Sequence, residues 1–207
     1  MSIEPAPRTA PAALSALDRD RTLLVVVDVQ EAFRYRIAGF DAIARRCAFL
    51  LDVARLLGVP VLACEQNPGR LGPSAREVVS ALRGEAPVAK MTFDACETEA
   101  FAQRLEPHRD QILLVGIEAH VCLLQTALGL LRRSREVFLA VDATGSQRRS
   151  DAQTAIRRLE RAGAVATTVE STAFELLGSA DEPRFREAIA LIVQELEVDR
   201  QAGSGPL

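Results

Sequence analysis

The run Leu23-Leu24-Val25-Val26-Val27-Asp28 decides the fold. Five apolar residues, three of them β-branched, stand together without polar alternation and stop at a carboxylate. Such a run suits a strand covered on both faces, the hallmark of a parallel sheet inside an α/β protein. The pattern repeats downstream. Val59-Pro60-Val61-Leu62-Ala63 reads as a second strand, Pro87-Val88-Ala89-Lys90 as a third and Gln111-Ile112-Leu113-Leu114-Val115-Gly116 as a fourth. Glu136–Val141 and Ala164–Thr168 complete six. Pro60 sits near a strand start, where a missing N–H is tolerated.

Helical periodicity fills the intervals. Between Asp41 and Gly58, Ile43, Cys47, Leu50, Leu51, Ala54 and Leu57 recur on one face, with Asp41 as cap and Gly58 as stop. Further helices are expected over Ser74–Leu82, Thr98–Leu105, His120–Arg133, Asp151–Ala162 and Pro183–Glu195. Strand alternating with helix predicts a three-layer α/β/α sandwich on a six-stranded, mostly parallel, Rossmann-like sheet. Residues 1–20, interrupted by Pro5, Pro7 and Pro11, read as a flexible arm. Residues 21–197 read as one domain, and 198–207, rich in Gly, Ser and Pro, as a flexible tail.

Composition narrows the function. The chain has 207 residues, 48% of them hydrophobic and 26% charged, which excludes wholesale disorder. The formal net charge of −3 argues against nucleic acid as a partner. No apolar run is long enough to cross a membrane, and the N-terminus lacks the pattern of a secretory signal. Four scattered cysteines without a Cys-x-x-Cys pair form neither a disulfide framework nor a zinc knuckle, so a reducing cytoplasm is the expected compartment.

Of the 25 basic residues, one is lysine: Lys90. Lysine is a compact charge with a tunable pKa, which arginine is not. Ligands of open α/β sheets bind beyond the carboxyl ends of the strands. Asp28 closes the first strand, Lys90 closes the third, and Cys122 lies just past the fourth, in the first turn of a helix. Helix-terminal N–H groups and a nearby cation favour a thiolate there. A carboxylate beside it can take the thiol proton and return it to a leaving group, and backbone N–H groups can hold an oxyanion. These three side chains describe a nucleophilic hydrolase acting on an amide-like carbonyl carbon of a small molecule.

Several ordered segments extend the pattern: Leu24–Gln30; Glu65-Gln66-Asn67 with Leu71-Gly72-Pro73; Lys90-Met91-Thr92-Phe93; Gly116-Ile117-Glu118-Ala119-His120-Val121-Cys122; and Ala162-Gly163-Ala164 with Thr167-Thr168. With them, over about residues 22–192, the chain resembles the isochorismatase-like cysteine hydrolase superfamily, and most nearly its isochorismatase domain-containing branch. The resemblance implies Asp28 as general base, Lys90 as orienting cation and Cys122 as nucleophile. It implies a non-proline cis peptide between Ile117 and Glu118, with the N–H groups of Glu118 and Cys122 at the oxyanion. Phe33, Gln66, Phe93 and Ala119 fall where the family lines its pocket, and a homo-oligomer, dimer or tetramer, is expected.

Two departures bear on the substrate. Ala119 stands where many members have Thr, and Asp94 where close members often have Ser. Nicotinamidases of this superfamily carry a metal site of Asp and two His. Here the only histidines are His108 and His120, so neither a metal nor another cofactor is expected. Cys47 and Cys64 read as core, Cys96 lies in a loop-like stretch without a role, and His120 reads as a cap or packing residue. A catalytically silent binding or scaffolding protein on this fold is the alternative function, and a redox-responsive thiol protein ranks after it.

Overall fold

The structure is a computed structural model that describes residues 16–201. Six strands run β1 (Thr22–Val27), β2 (Val61–Gln66), β3 (Val88–Lys90), β4 (Gln111–Ile117), β5 (Glu136–Gly145) and β6 (Val165–Thr167). They form one sheet in the order β3-β2-β1-β4-β5-β6, and every pairing is parallel. The chain winds outward from β1 in one direction, then crosses back to β4. The reversal leaves a crevice between the carboxyl ends of β1 and β4, the switch point at which such sheets bind ligands.

Eight α-helices among the described residues cover the sheet: α1 (Phe40–Leu56), α2 (Pro68–Leu71), α3 (Arg76–Leu82), α4 (Glu99–Ala102), α5 (Leu124–Arg132), α6 (Arg149–Arg161), α7 (Val169–Leu177) and α8 (Phe185–Gln201). The alternation of side chains along β1 divides the core. Leu24 and Val26 pack with Phe40, Leu50 and Leu51 of α1 and with Val78 of α3. Leu23, Val25 and Val27 face Phe101 of α4, Leu130 of α5 and Leu159 of α6. Burial of β1 on both faces is what its unbroken apolar run requires.

Some boundaries differ from the sequence reading. Thr168 opens α7, its hydroxyl accepting the Ser171 N–H at 3.3 Å, where a plain strand end is expected from the sequence. β5 continues to Gly145 through a register irregularity opposite Leu114 and Gly116. Leu17, expected in the arm, is buried, with its N–H 2.9 Å from Glu175 Oε2. Residues 1–15 of that arm and 202–207 of the tail lie outside the described residues. Asp199, expected in the tail, sits on α8 and pairs with Arg45 at 2.6 Å and Arg46 at 2.9 Å, which ties the helix end to α1.

Candidate active site

Three strand ends deliver the polar groups. The chain leaves β1 at Asp28 with φ +53°, a left-handed conformation that Asp adopts more readily than most residues. Next door, Gly116 of β4 has φ +120°, and a Cβ there would lie 2.8 Å from Val27 N and closer still to the Val27 carbonyl. Only glycine lets β4 run this close to the end of β1. Lys90 pairs in register with Gln66 at the ends of β3 and β2. Its side chain crosses β2 to reach Asp28, and Lys90 Nζ lies 2.7 Å from Asp28 Oδ2.

The ammonium has two further acceptors, Gln66 Oε1 at 2.7 Å and Thr92 O at 3.3 Å. Three acceptors match its three protons. Gln66 Oε1 also takes a long hydrogen bond from Cys122 Sγ at 3.8 Å, and Gln66 Nε2 donates to Met91 O at 2.9 Å. Asp28, Lys90, Gln66 and Cys122 therefore form one connected cluster. Ion pair and thiol are both buried.

Burial sets the charges. It pushes the Asp28 pKa up, against the opposing pull of the Lys90 ammonium and of the Cys122 and Cys64 thiols. Burial works to lower the Lys90 pKa, but the Asp28 charge leads the groups that carry it upward overall. Cys122 is pushed up to about 12, first by burial and then by the Asp28 charge, with Lys90 pulling the other way. This corrects the expectation of a thiolate. The cation that would stabilise a thiolate is already paired with a carboxylate, so the resting thiol keeps its proton.

Cys122 belongs to a single turn of π-helix, Ala119–Leu123, that leads into α5. The Glu118 carbonyl accepts the N–H groups of Val121 at 3.0 Å and Leu123 at 3.3 Å. The Ile117–Glu118 peptide bond is cis. The Glu118 carboxylate turns to Gln147, accepting its backbone N–H at 2.9 Å and its side-chain amide at 3.2 Å. Ala119 packs on Ala152 and Ala155 of α6. Phe33, in the 3-10 turn Glu31–Phe33, packs half-buried on the α1 side of the core, and Phe93 is half exposed.

His120 Nδ1 lies 3.0 Å from Ser146 Oγ. With Arg36, Glu118, Gln147, Arg148 and Asp151 it lines an open cleft of about 360 Å³ beside the π turn. Cys96 is buried rather than in an open loop: it lies in the 3-10 turn Ala95–Glu97, capped by Asp94. Among the described residues, no three His, Cys, Asp or Glu side chains gather as a metal-binding group.

Two residues of the site escape the sequence reading. Gln30 is fully buried and clasps the end of β2, accepting the Gln66 N–H at 3.0 Å and donating to Gln66 O at 3.1 Å and Gly72 O at 2.7 Å. Cys64, read as core, places its Sγ 3.4 Å from Asp28 Oδ1. Strand alternation is the signal that could have found it, because Cys64 and Gln66 stand two apart on β2 and share a face.

Residues 22–171 match the Isochorismatase domain family. The human isochorismatase domain-containing protein 2 is 40% identical over 173 residues, covering 83% of this chain and 82% of that protein. The structure of a MAR1 ribonuclease from Caenorhabditis elegans superposes with a TM-score of 0.79 at 36% identity, over 86% of this chain and 93% of that one. A cysteine hydrolase from Pseudomonas syringae pv. phaseolicola shares the fold, with a TM-score of 0.71 at 15% identity over 81% of this chain and 98% of that one. A match over most of the chain, with a 40% identical relative of nearly the same extent, shows that this chain belongs to the isochorismatase family.

Proposed function

We propose that the chain is a metal-independent cysteine hydrolase that cleaves an amide-like C–N bond of a small molecule through a thioester on Cys122. The observation that supports this best is the buried cluster in which the sole lysine meets Asp28 at 2.7 Å and shares Gln66 Oε1 with Cys122. Asp28 removes the Cys122 proton as sulfur attacks the carbonyl carbon. An S–C bond forms, and the N–H groups of Glu118 and Cys122 hold the oxyanion. As the C–N bond breaks, the proton passes from Asp28 to the departing amine. Water then enters, gives its proton to Asp28 and splits the thioester, and the carboxylic acid leaves with the thiol restored.

Lys90 keeps Asp28 ionised in a buried setting and stabilises the sulfur as it gains charge. These side chains carry every step, so the reading calls on no cofactor. Phe33 and Phe93 are assigned to the pocket. A second copy of the chain is proposed to cover the exposed Tyr35, Met91 and Phe93, and sedimentation velocity tests that assembly.

The ribonuclease name belongs to the C. elegans protein. A thiol and an ion pair this deeply buried suit a small carbonyl compound better than a polynucleotide, and a net charge of −3 gives the chain no overall attraction for phosphates. A panel of small amides and carbamoyl compounds, run on wild type and Cys122→Ala side by side, tests the reading. Turnover by wild type alone is expected. Binding of panel compounds without turnover by either protein favours the silent-binder alternative.

A further inference from the structure

Besides the Cys122 thiol, the Asp28 carboxylate has a partner facing each of its oxygens. Oδ2 faces Lys90 Nζ at 2.7 Å, and Oδ1 takes a hydrogen bond from Cys64 Sγ at 3.4 Å. The Cys64 carbonyl also accepts the Asp28 N–H at 3.0 Å. One residue of β2 therefore grips Asp28 by both its main chain and its side chain. The grip falls where it is needed, because Asp28 sits at φ +53°, a conformation that persists only when the surroundings hold it.

Cys64 is buried among Val25, Val27 and Leu62, on the same side of the sheet as Cys122. Its exposure is 1%, and no step of the proposed mechanism uses it as a nucleophile. Burial, followed by the Asp28 charge, pushes its pKa well above that of an ordinary thiol, which favours the S–H form that donates to Asp28.

We infer that Cys64 is a positioning residue for Asp28: its thiol fixes the rotation of the carboxylate, holding Oδ2 on Lys90 and the group as a whole ready for the Cys122 proton. The inference rests on the reading of Asp28 as the base for Cys122. Without the Cys64 donor, Oδ1 loses the thiol that faces it at 3.4 Å. The carboxylate gains rotational freedom and holds a proton more readily, so the site needs a higher pH to work.

The test is the rate of Cys122 alkylation by iodoacetamide against pH, read from the mass of the peptide that carries Cys122. It needs no knowledge of the substrate. Wild type should show an acid limb where Asp28 titrates. In Cys64→Ala that limb should move to higher pH by about one unit, the size of a lost hydrogen bond to a charged acceptor. Cys64→Ser keeps a donor and should move it back towards wild type. Cys47→Ala, which empties a buried site on the opposite face of the sheet, should leave it in place.

Cys64→Val, which fills the site and lacks the donor, serves the same test if Cys64→Ala does not fold. A limb that stays put in the Ala or Val variant overturns the inference and leaves the triad reading standing. A wild-type rate with no acid limb overturns that reading and the inference with it.

Discussion

Lys90 reaches across the width of β2 to place its ammonium 2.7 Å from the Asp28 carboxylate, with side-chain exposures of 0% and 2%. Neither group can be withdrawn from the other without leaving a buried charge. Lys90→Met should therefore cost about 3–5 kcal/mol of stability, read from urea unfolding at neutral pH. Adding Asp28→Asn to that variant should return much of the stability, since no charge is then left unpaired, yet turnover should stay absent. A Lys90→Met protein as stable as wild type would contradict the pairing.

The pH profile of turnover follows from the same pair. Asp28 works as a base only when ionised, and burial raises its pKa above the ordinary value of about 3.9. The acid limb of kcat/KM should accordingly lie above the position of a free aspartate. Lys90 titrates above its ordinary value, so the alkaline limb should lie beyond about pH 10.4 wherever the protein remains folded. The two limbs belong to the coupled cluster rather than to single residues. An acid limb at or below the ordinary aspartate value contradicts the burial argument.

Gly116 tests the geometry of the switch point. Its φ is +120°, and an added Cβ would stand 2.8 Å from Val27 N, so there is no room for a side chain. Gly116→Ala should destabilise by more than the ~1–3 kcal/mol of local backbone strain alone, because the clash is with main chain that cannot move aside. Gly129→Ala meets the Asp94 side chain instead, 2.7 Å from its Cγ, and should cost less. Thermal unfolding of both variants measures the difference, and equal losses would count against this account of Gly116.

Much of this is readable in the chain, and the exceptions share a cause. Unbroken apolar runs ending in Asp28 and Lys90 announce a parallel sheet with polar groups at its carboxyl edge. The resemblance of the segment Gly116–Cys122 to the family's own marks the turn after β4. What cannot be read is the partner of each group. The charge state of Cys122 depends on how deeply it is buried and on Lys90 being already engaged by Asp28. Cys64 looks like core because its neighbours in sequence are apolar, and its bond to Asp28 arises across two strands. Helix α7 escapes notice because it is short and follows β6 directly, although Thr168 at the cap with Glu170 in the first turn is a helix-start signal.

Arg34 ties the turn before α1 to its neighbours, donating to Glu31 at 2.7 Å, to Glu77 at 2.8 Å and to Asp41. Its hydrogen bonds hold the Glu31 pKa at about 2. That contribution to stability is whole above the unfolded-state value of about 4.3 and is lost as pH falls towards 2. Glu31→Gln should lower the urea midpoint at neutral pH and narrow its fall between neutral and acid pH. A mutant whose midpoint falls with pH as steeply as wild type contradicts the assignment.

The central claim is that sulfur of Cys122 bonds to the substrate carbon. Acid-quenched turnover of a small amide, followed by mass analysis of the peptide carrying Cys122, measures it most directly. The account predicts an acyl adduct on Cys122 that forms as amine is released and decays as acid appears, with neither product made by Cys122→Ala. Amine release by Cys122→Ala at the wild-type rate, with no adduct on wild type, would contradict it.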